Sequence, residues 1–66
     1  MYAIRNKRTR KWLCGTDFRH YPYTQRTSFE QARTWDTYEE ACSEFNRRMC
    51  GKCYEIVPVR IEALED

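Results

Sequence analysis

Along the chain the apolar positions change period, and each change marks an element. Tyr2-Ala3-Ile4-Arg5 roughly alternates apolar and polar residues, the pattern of a half-covered strand, and predicts a strand over 2–5. Asn6-Lys7-Arg8-Thr9-Arg10 is polar throughout and reads as a hairpin connection, Asn being tolerant of turn conformations. A second strand is then expected over 11–14, Lys11-Trp12-Leu13-Cys14, ended by Gly15. From Thr16 to Ser28 no period holds and Pro22 argues against a regular strand, so a loop is expected there. That is long for a connection in a small domain, and long ordered loops carry function more often than short ones. Phe29-Glu30-Gln31-Ala32-Arg33-Thr34-Trp35 predicts a third strand over 29–35, with Phe29, Gln31, Arg33 and Trp35 on one side.

The period then switches to that of a helix. Tyr38, Ala41, Cys42, Phe45 and Met49 recur on one helical face and predict a helix over 37–50. Thr37 stands at the N-cap with Glu40 three residues on, a capping box. Glu39, Glu40 and Glu44 complement the positive end of the helix dipole, Arg47 and Arg48 the negative end, and Gly51 is placed for a left-handed stop. Phe45 is expected to be the helix's main core anchor, so that Phe45→Ala would cost roughly 3–5 kcal/mol. A last strand, rich in β-branched residues, is predicted over 53–61 (Cys53-Tyr54-Glu55-Ile56-Val57-Pro58-Val59-Arg60-Ile61), followed by an acidic tail over 62–66. Pro58 cannot donate to a ladder, which puts this strand at an edge or turns its proline outwards; an edge there could also pair two copies into a homodimer. The order ββ-loop-β-α-β predicts one α+β domain over 1–66, a small antiparallel or mixed sheet with an amphipathic helix on one face.

Length changes this picture only by limiting it. A chain of 66 residues buries about 60% of the surface it exposes when unfolded, so its core is thin. No apolar run reaches membrane length and no signal peptide opens the chain, so a cytoplasmic protein is expected, with no membrane contact. Charge divides the chain in two. Residues 1–35 carry eight Lys/Arg against two acids, a net +6, and residues 36–66 carry four against eight, a net −4. Such asymmetry fits one face for an acidic partner, or equally a helix rich in Glu beside strands with exposed Arg.

Four cysteines and one histidine are the candidates for chemistry. Cys50-Gly51-Lys52-Cys53 has the spacing of a zinc half-site or a redox couple. Redox use needs the first thiol at a helix N-terminus, whereas Cys50 falls at the helix C-terminus, where the dipole opposes a thiolate. Zinc needs two further ligands, and Cys14, His20 and Cys42 form no second close pair. Free thiols and no cofactor are expected, with Cys50 and Cys53 the weak metal candidates. His20 has no nucleophile motif beside it, and no phosphate-binding glycine loop is present, so an enzyme is not expected.

Binding chemistry is left, in the basic and aromatic half. Lys7, Arg8, Arg10 and Lys11 crowd the hairpin connection, and Phe18, Arg19, Tyr21, Tyr23 and Arg26 interleave aromatic and cationic groups in the loop. Aromatics stacked on bases with arginines on phosphates would make a nucleic-acid platform. Tyr, Trp and Arg also dominate protein–protein hot spots, and an arginine-rich face suits an acidic surface. Trp12, Phe29 and Trp35 are expected in the core, because so short a chain has few large apolar groups to fill one.

Taken together, the opening YAIRNKRTRKW, the helix region WDTYEEACSEFNRR and the closing CYEIVPVRI resemble small uncharacterised proteins of bacteriophages and integrated mobile elements. That resemblance implies action by binding rather than catalysis: some such proteins, anti-CRISPR and other anti-defence inhibitors among them, bind a host nucleoprotein complex. They often mask a nucleic-acid surface with acidic residues, and this chain departs from that habit by being basic in one half. The resulting expectation is a protein-binding module, an inhibitor of a host defence complex in the bacterial cytoplasm, with nucleic-acid binding as the alternative.

Overall fold

A computed structural model describes residues 1–60. Strands β1 (Tyr2–Asn6), β2 (Trp12–Asp17), β3 (Thr24–Ser28) and β4 (Thr34–Trp35) precede helix α1 (Tyr38–Arg47), and β5 (Tyr54–Pro58) follows it. All pairings are antiparallel, so the fold is α+β as the pattern predicts, with one strand more than expected. β1 is the hub. One of its edges is taken along its whole length by β5, from Tyr2↔Pro58 to Asn6↔Tyr54. The other edge is shared: β2 meets it at Arg5↔Trp12, and β4 takes over at Tyr2↔Trp35 and Ala3↔Thr34.

Period-two geometry explains which side chains are covered. Ile4 and its partner Ile56 face the helix, where Ile4, Leu13 and Cys50 form the buried cluster with Trp35, Phe45, Tyr54 and Ile56 packed against it. Arg5 and Trp12 project on the opposite face, where the Arg5 guanidinium lies 5.5 Å from the Trp12 ring and bonds Glu55 at 2.7 Å. Trp12 is therefore outside the helix-side core. Phe29 is also not core: it is 65% exposed, with the Lys11 ammonium 5.4 Å from its ring. Of the three aromatics expected in the core, Trp35 packs there.

The helix starts where the sequence places it. Thr37 Oγ1 accepts from the Glu40 amide at 3.1 Å, and the Glu40 carboxylate accepts the hydroxyl in return. It stops earlier than expected, at Arg47, and by a different residue. The Met49 amide donates to Asn46 O and the Cys50 amide to Phe45 O, the two bonds of a Schellman stop, and Met49 takes the left-handed conformation with φ 54°. Gly51 also has positive φ, at 78°, but serves the following turn, its carbonyl accepting from Tyr54 N. Ending the helix there leaves Met49 half exposed and tucks Cys50 under Phe45. Tyr38, at the other end of the expected apolar face, is exposed too, edge-on to Tyr2. Ala41 is the fully buried helix residue, with Cys42 and Phe45 half-buried.

Two strand predictions fail together. The expected loop contains β3, Thr-Gln-Arg-Thr-Ser, and the expected strand over 29–35 shrinks to Thr34–Trp35. At Ser28 the hydroxyl accepts from the amides of Glu30 and Gln31, which turns the chain out of the ladder. β3 carries no apolar residue and, among the described residues, pairs only with β2, so no hydrophobic period marks it. β2 runs three residues past the predicted end, through Gly15 to Asp17. β5 is an edge strand, as Pro58 demands. Ile61 and the acidic tail lie outside the described residues.

Candidate functional site

β2 and β3 are out of step by one residue. Leu13 opposes Thr27 and Gly15 opposes Arg26, so Cys14 is the extra residue of a bulge, its thiol 3.4 Å from the Arg26 carbonyl. The bulge falls where β2 leaves β1. Arg33 N donates to Leu13 O at 2.9 Å, β4 then occupies the vacated edge of β1, and the rest of β2 continues as a two-stranded hairpin with β3.

This projecting end is tied to the helix by polar groups. Arg48, just past the helix end, is 5% exposed. Its Nε donates to Glu44 Oε1 at 2.9 Å and its Nη1 to Thr16 Oγ1 at 2.8 Å. Thr16 in turn donates to Gln25 Oε1 at 2.6 Å, and Gln25 Nε2 closes the ring on the Arg48 carbonyl at 2.7 Å. Burial pushes the Glu44 carboxyl up, but the Arg47 and Arg48 guanidiniums together outweigh it and hold it below its ordinary value.

Where β2 peels away, a groove of about 600 Å³ opens along Cys14–Arg19, closed on its other sides by Arg26, Gln31, Arg33 and Arg48. A hollow of about 300 Å³ adjoins it at Cys14, Gln31, Ala32 and Arg33. Arg26 reaches the groove across Gly15, where a Cβ would meet its Cδ at 3.9 Å. Arg19 grips Asp17 with two nitrogens, which holds the Asp17 carboxyl below its usual range. Arg26 and Arg33 make no ion pair among the described residues. With Arg19 paired to Asp17 and Arg48 to Glu44, Arg26 and Arg33 leave the groove positive.

Of the residues singled out from the sequence, Phe18, Arg19, Tyr21, Tyr23 and Arg26 are brought together at this end. Phe18 and Tyr23 meet edge-to-face at 4.9 Å, and Tyr21 and Tyr23 at 5.9 Å. Arg47 covers Phe18 at 5.0 Å and Tyr21 is 72% exposed. Lys7, Arg8, Arg10 and Lys11 are elsewhere, at the β1–β2 turn, separated from the aromatics by the length of β2, roughly 17 Å. In that turn Asn6 Oδ1 accepts from the amides of Arg8 and Thr9, and Arg10 is left-handed with φ 67°. Lys7, Arg8 and Arg10 are exposed and Lys11 is half-buried.

Gln31, Arg33 and Arg48 enter the groove without having been singled out as binding residues. Arg33 had the signal, being interleaved with Phe29 and Trp35 as Arg19 and Arg26 are with the loop aromatics; Arg48 read as a charge complementing the negative end of the helix dipole. Cys50 and Cys53 part company, Cys50 in the core and Cys53 exposed. Burial pushes the Cys50 thiol up to about 11. Among the described residues no three His, Cys, Asp or Glu side chains are grouped to share a metal ion. No helix among them is long and apolar enough to cross a membrane.

No protein-family model, curated protein or solved structure matches this chain. Arg26 and Arg33, without an ion-pair partner among the described residues, beside mutually braced aromatics can grip a surface that carries carboxylates or phosphates.

Proposed function

We propose that this chain is a non-enzymatic binding protein that engages an acidic protein surface through the β2–β3 end. One observation carries the reading: Arg26 and Arg33, unpaired among the described residues, line a groove beside Phe18, Tyr21 and Tyr23. Arginine and tyrosine are hot-spot residues, and a tyrosine anchor costs little side-chain entropy on binding. The aromatics suit a protein better than bases. Their rings are set edge-to-face on one another and Phe18 is capped by Arg47, so they do not offer a row of open faces. A setting of the kind the sequence resembles, an inhibitor of a host defence complex in the bacterial cytoplasm, is the biological form of this proposal.

The second reading is nucleic-acid binding through the β1–β2 turn, favoured by the three exposed cations Lys7, Arg8 and Arg10. Affinity capture from a nuclease-treated bacterial lysate separates the two. An acid-rich protein should be retained by the wild type and by Lys7→Glu/Arg8→Glu/Arg10→Glu, and lost with Tyr21→Ala/Tyr23→Ala. The opposite pattern, retention lost with the turn variant or with nuclease, would replace the protein partner by nucleic acid.

A further inference from the structure

A strand that borders a cavity with one face lines it with every second residue. Here six consecutive residues, Cys14 to Arg19, line the groove. The groove therefore runs along the edge of β2, with Thr16 and Arg48 reaching it from the helix side and Arg26 from the other. Past Leu13 that edge has no strand across it among the described residues, because β4 has taken the place beside β1. A strand edge with unmet donors and acceptors is a template for another chain.

We infer that the groove accepts an extended acidic peptide segment of the protein partner, which adds to the edge of β2 at Gly15–Asp17 as a further strand. This rests on the protein-binding reading and names its mode. Backbone bonds to β2 would supply affinity, and carboxylates on alternate residues would meet Arg26 and Arg33, flanking the edge, in bidentate pairs. Charge selects the occupant. A second copy docked through the same groove would bring like-charged arginines together, whereas an acidic segment neutralises them. The bulge at Cys14 keeps β2 from simply pairing onward with its own sheet, and Arg26 reaches the groove across Gly15.

The test uses an acetylated, amidated octapeptide of alternating Glu and Val, and the same peptide N-methylated at every residue, which keeps the charge and removes the backbone donors. Each is titrated into the ¹⁵N-labelled protein. The plain peptide should shift the Gly15–Asp17 amides and slow exchange at the alternate amide that faces away from β3. The N-methylated peptide should bind more than about tenfold more weakly, as should the plain peptide to Arg26→Ala/Arg33→Ala, an effect of about 1.4 kcal/mol. Equal binding of the two peptides would overturn strand addition while leaving the protein partner intact, since charge alone would then suffice. Shifts confined to Thr24–Ser28 or Tyr54–Pro58 would place the template at another edge and overturn it as well. No peptide shift at low salt, with an RNA oligonucleotide shifting Lys7–Lys11, would remove both this inference and the reading it rests on.

Discussion

The helix-covered part of the sheet and the projecting β2–β3 end are held together by different forces. Beneath α1, Ile4, Leu13 and Cys50 are sealed from water and the helix packs across β1, β4 and β5. At the projecting end, polar β3 is held by its ladder and by the Arg48–Thr16–Gln25 ring. Apolar burial is non-directional and tolerant of detail, whereas a hydrogen-bonded ring holds only while every member is present. The first part is thus a platform. The second is free to carry arginines and exposed aromatics, because its order does not depend on covering them.

That difference can be broken from either side. Ile4→Ala should have the largest effect, about 3 kcal/mol of global stability by denaturant unfolding, since Ile4 is fully buried at the centre of the cluster. Phe45→Ala should cost less, about 2 kcal/mol, because Phe45 is only partly buried and packs from the side. Arg48→Met keeps the apolar stem and removes the guanidinium, leaving Thr16 without its donor and Glu44 with Arg47 alone. It should cost roughly 1–3 kcal/mol, and in a distinctive place. Amide exchange should speed up first across β3 and Gly15–Asp17, with β1 and β5 little changed; uniform acceleration would mean the two regions are one cooperative unit. The smallest effect sharpens the helix end. Met49→Gly relieves a left-handed methionine and should raise stability by about 1 kcal/mol.

The same contrast explains what the sequence could reveal. Ile4, Leu13, Ala41, Phe45 and Ile56 are legible because a covered face imposes a period, and Thr37 with Glu40 because capping is local chemistry. β3 is illegible because it holds no apolar residue to mark its covered positions, so Thr24–Ser28 reads as loop although it is strand. Phe29 misled for the converse reason: an apolar residue beside a serine-directed turn looks like a core strand until Ser28 is seen to hold the two following amides. Reading Gly51 as the helix stop followed residue preference, but the Schellman bonds form two residues sooner, where they bury Cys50. The aromatic and arginine residues of the loop were visible as a group. Their distance from Lys7, Arg8 and Arg10, at the other end of the second strand, is larger than the strand expected over 11–14 implies, because β2 runs on to Asp17.

The most direct test of the central claim, that the β2–β3 end binds protein rather than nucleic acid, is fluorescence anisotropy of labelled single-stranded and duplex DNA and RNA. It should be run with the wild type and with Arg26→Ala/Arg33→Ala, at low and near-physiological salt. Binding is expected to be at most weak at low salt, to fall log-linearly with salt and to be unchanged by the two arginine substitutions. Binding that persists at near-physiological salt and is lost with Arg26 and Arg33 would contradict it, and would make the groove a nucleic-acid site.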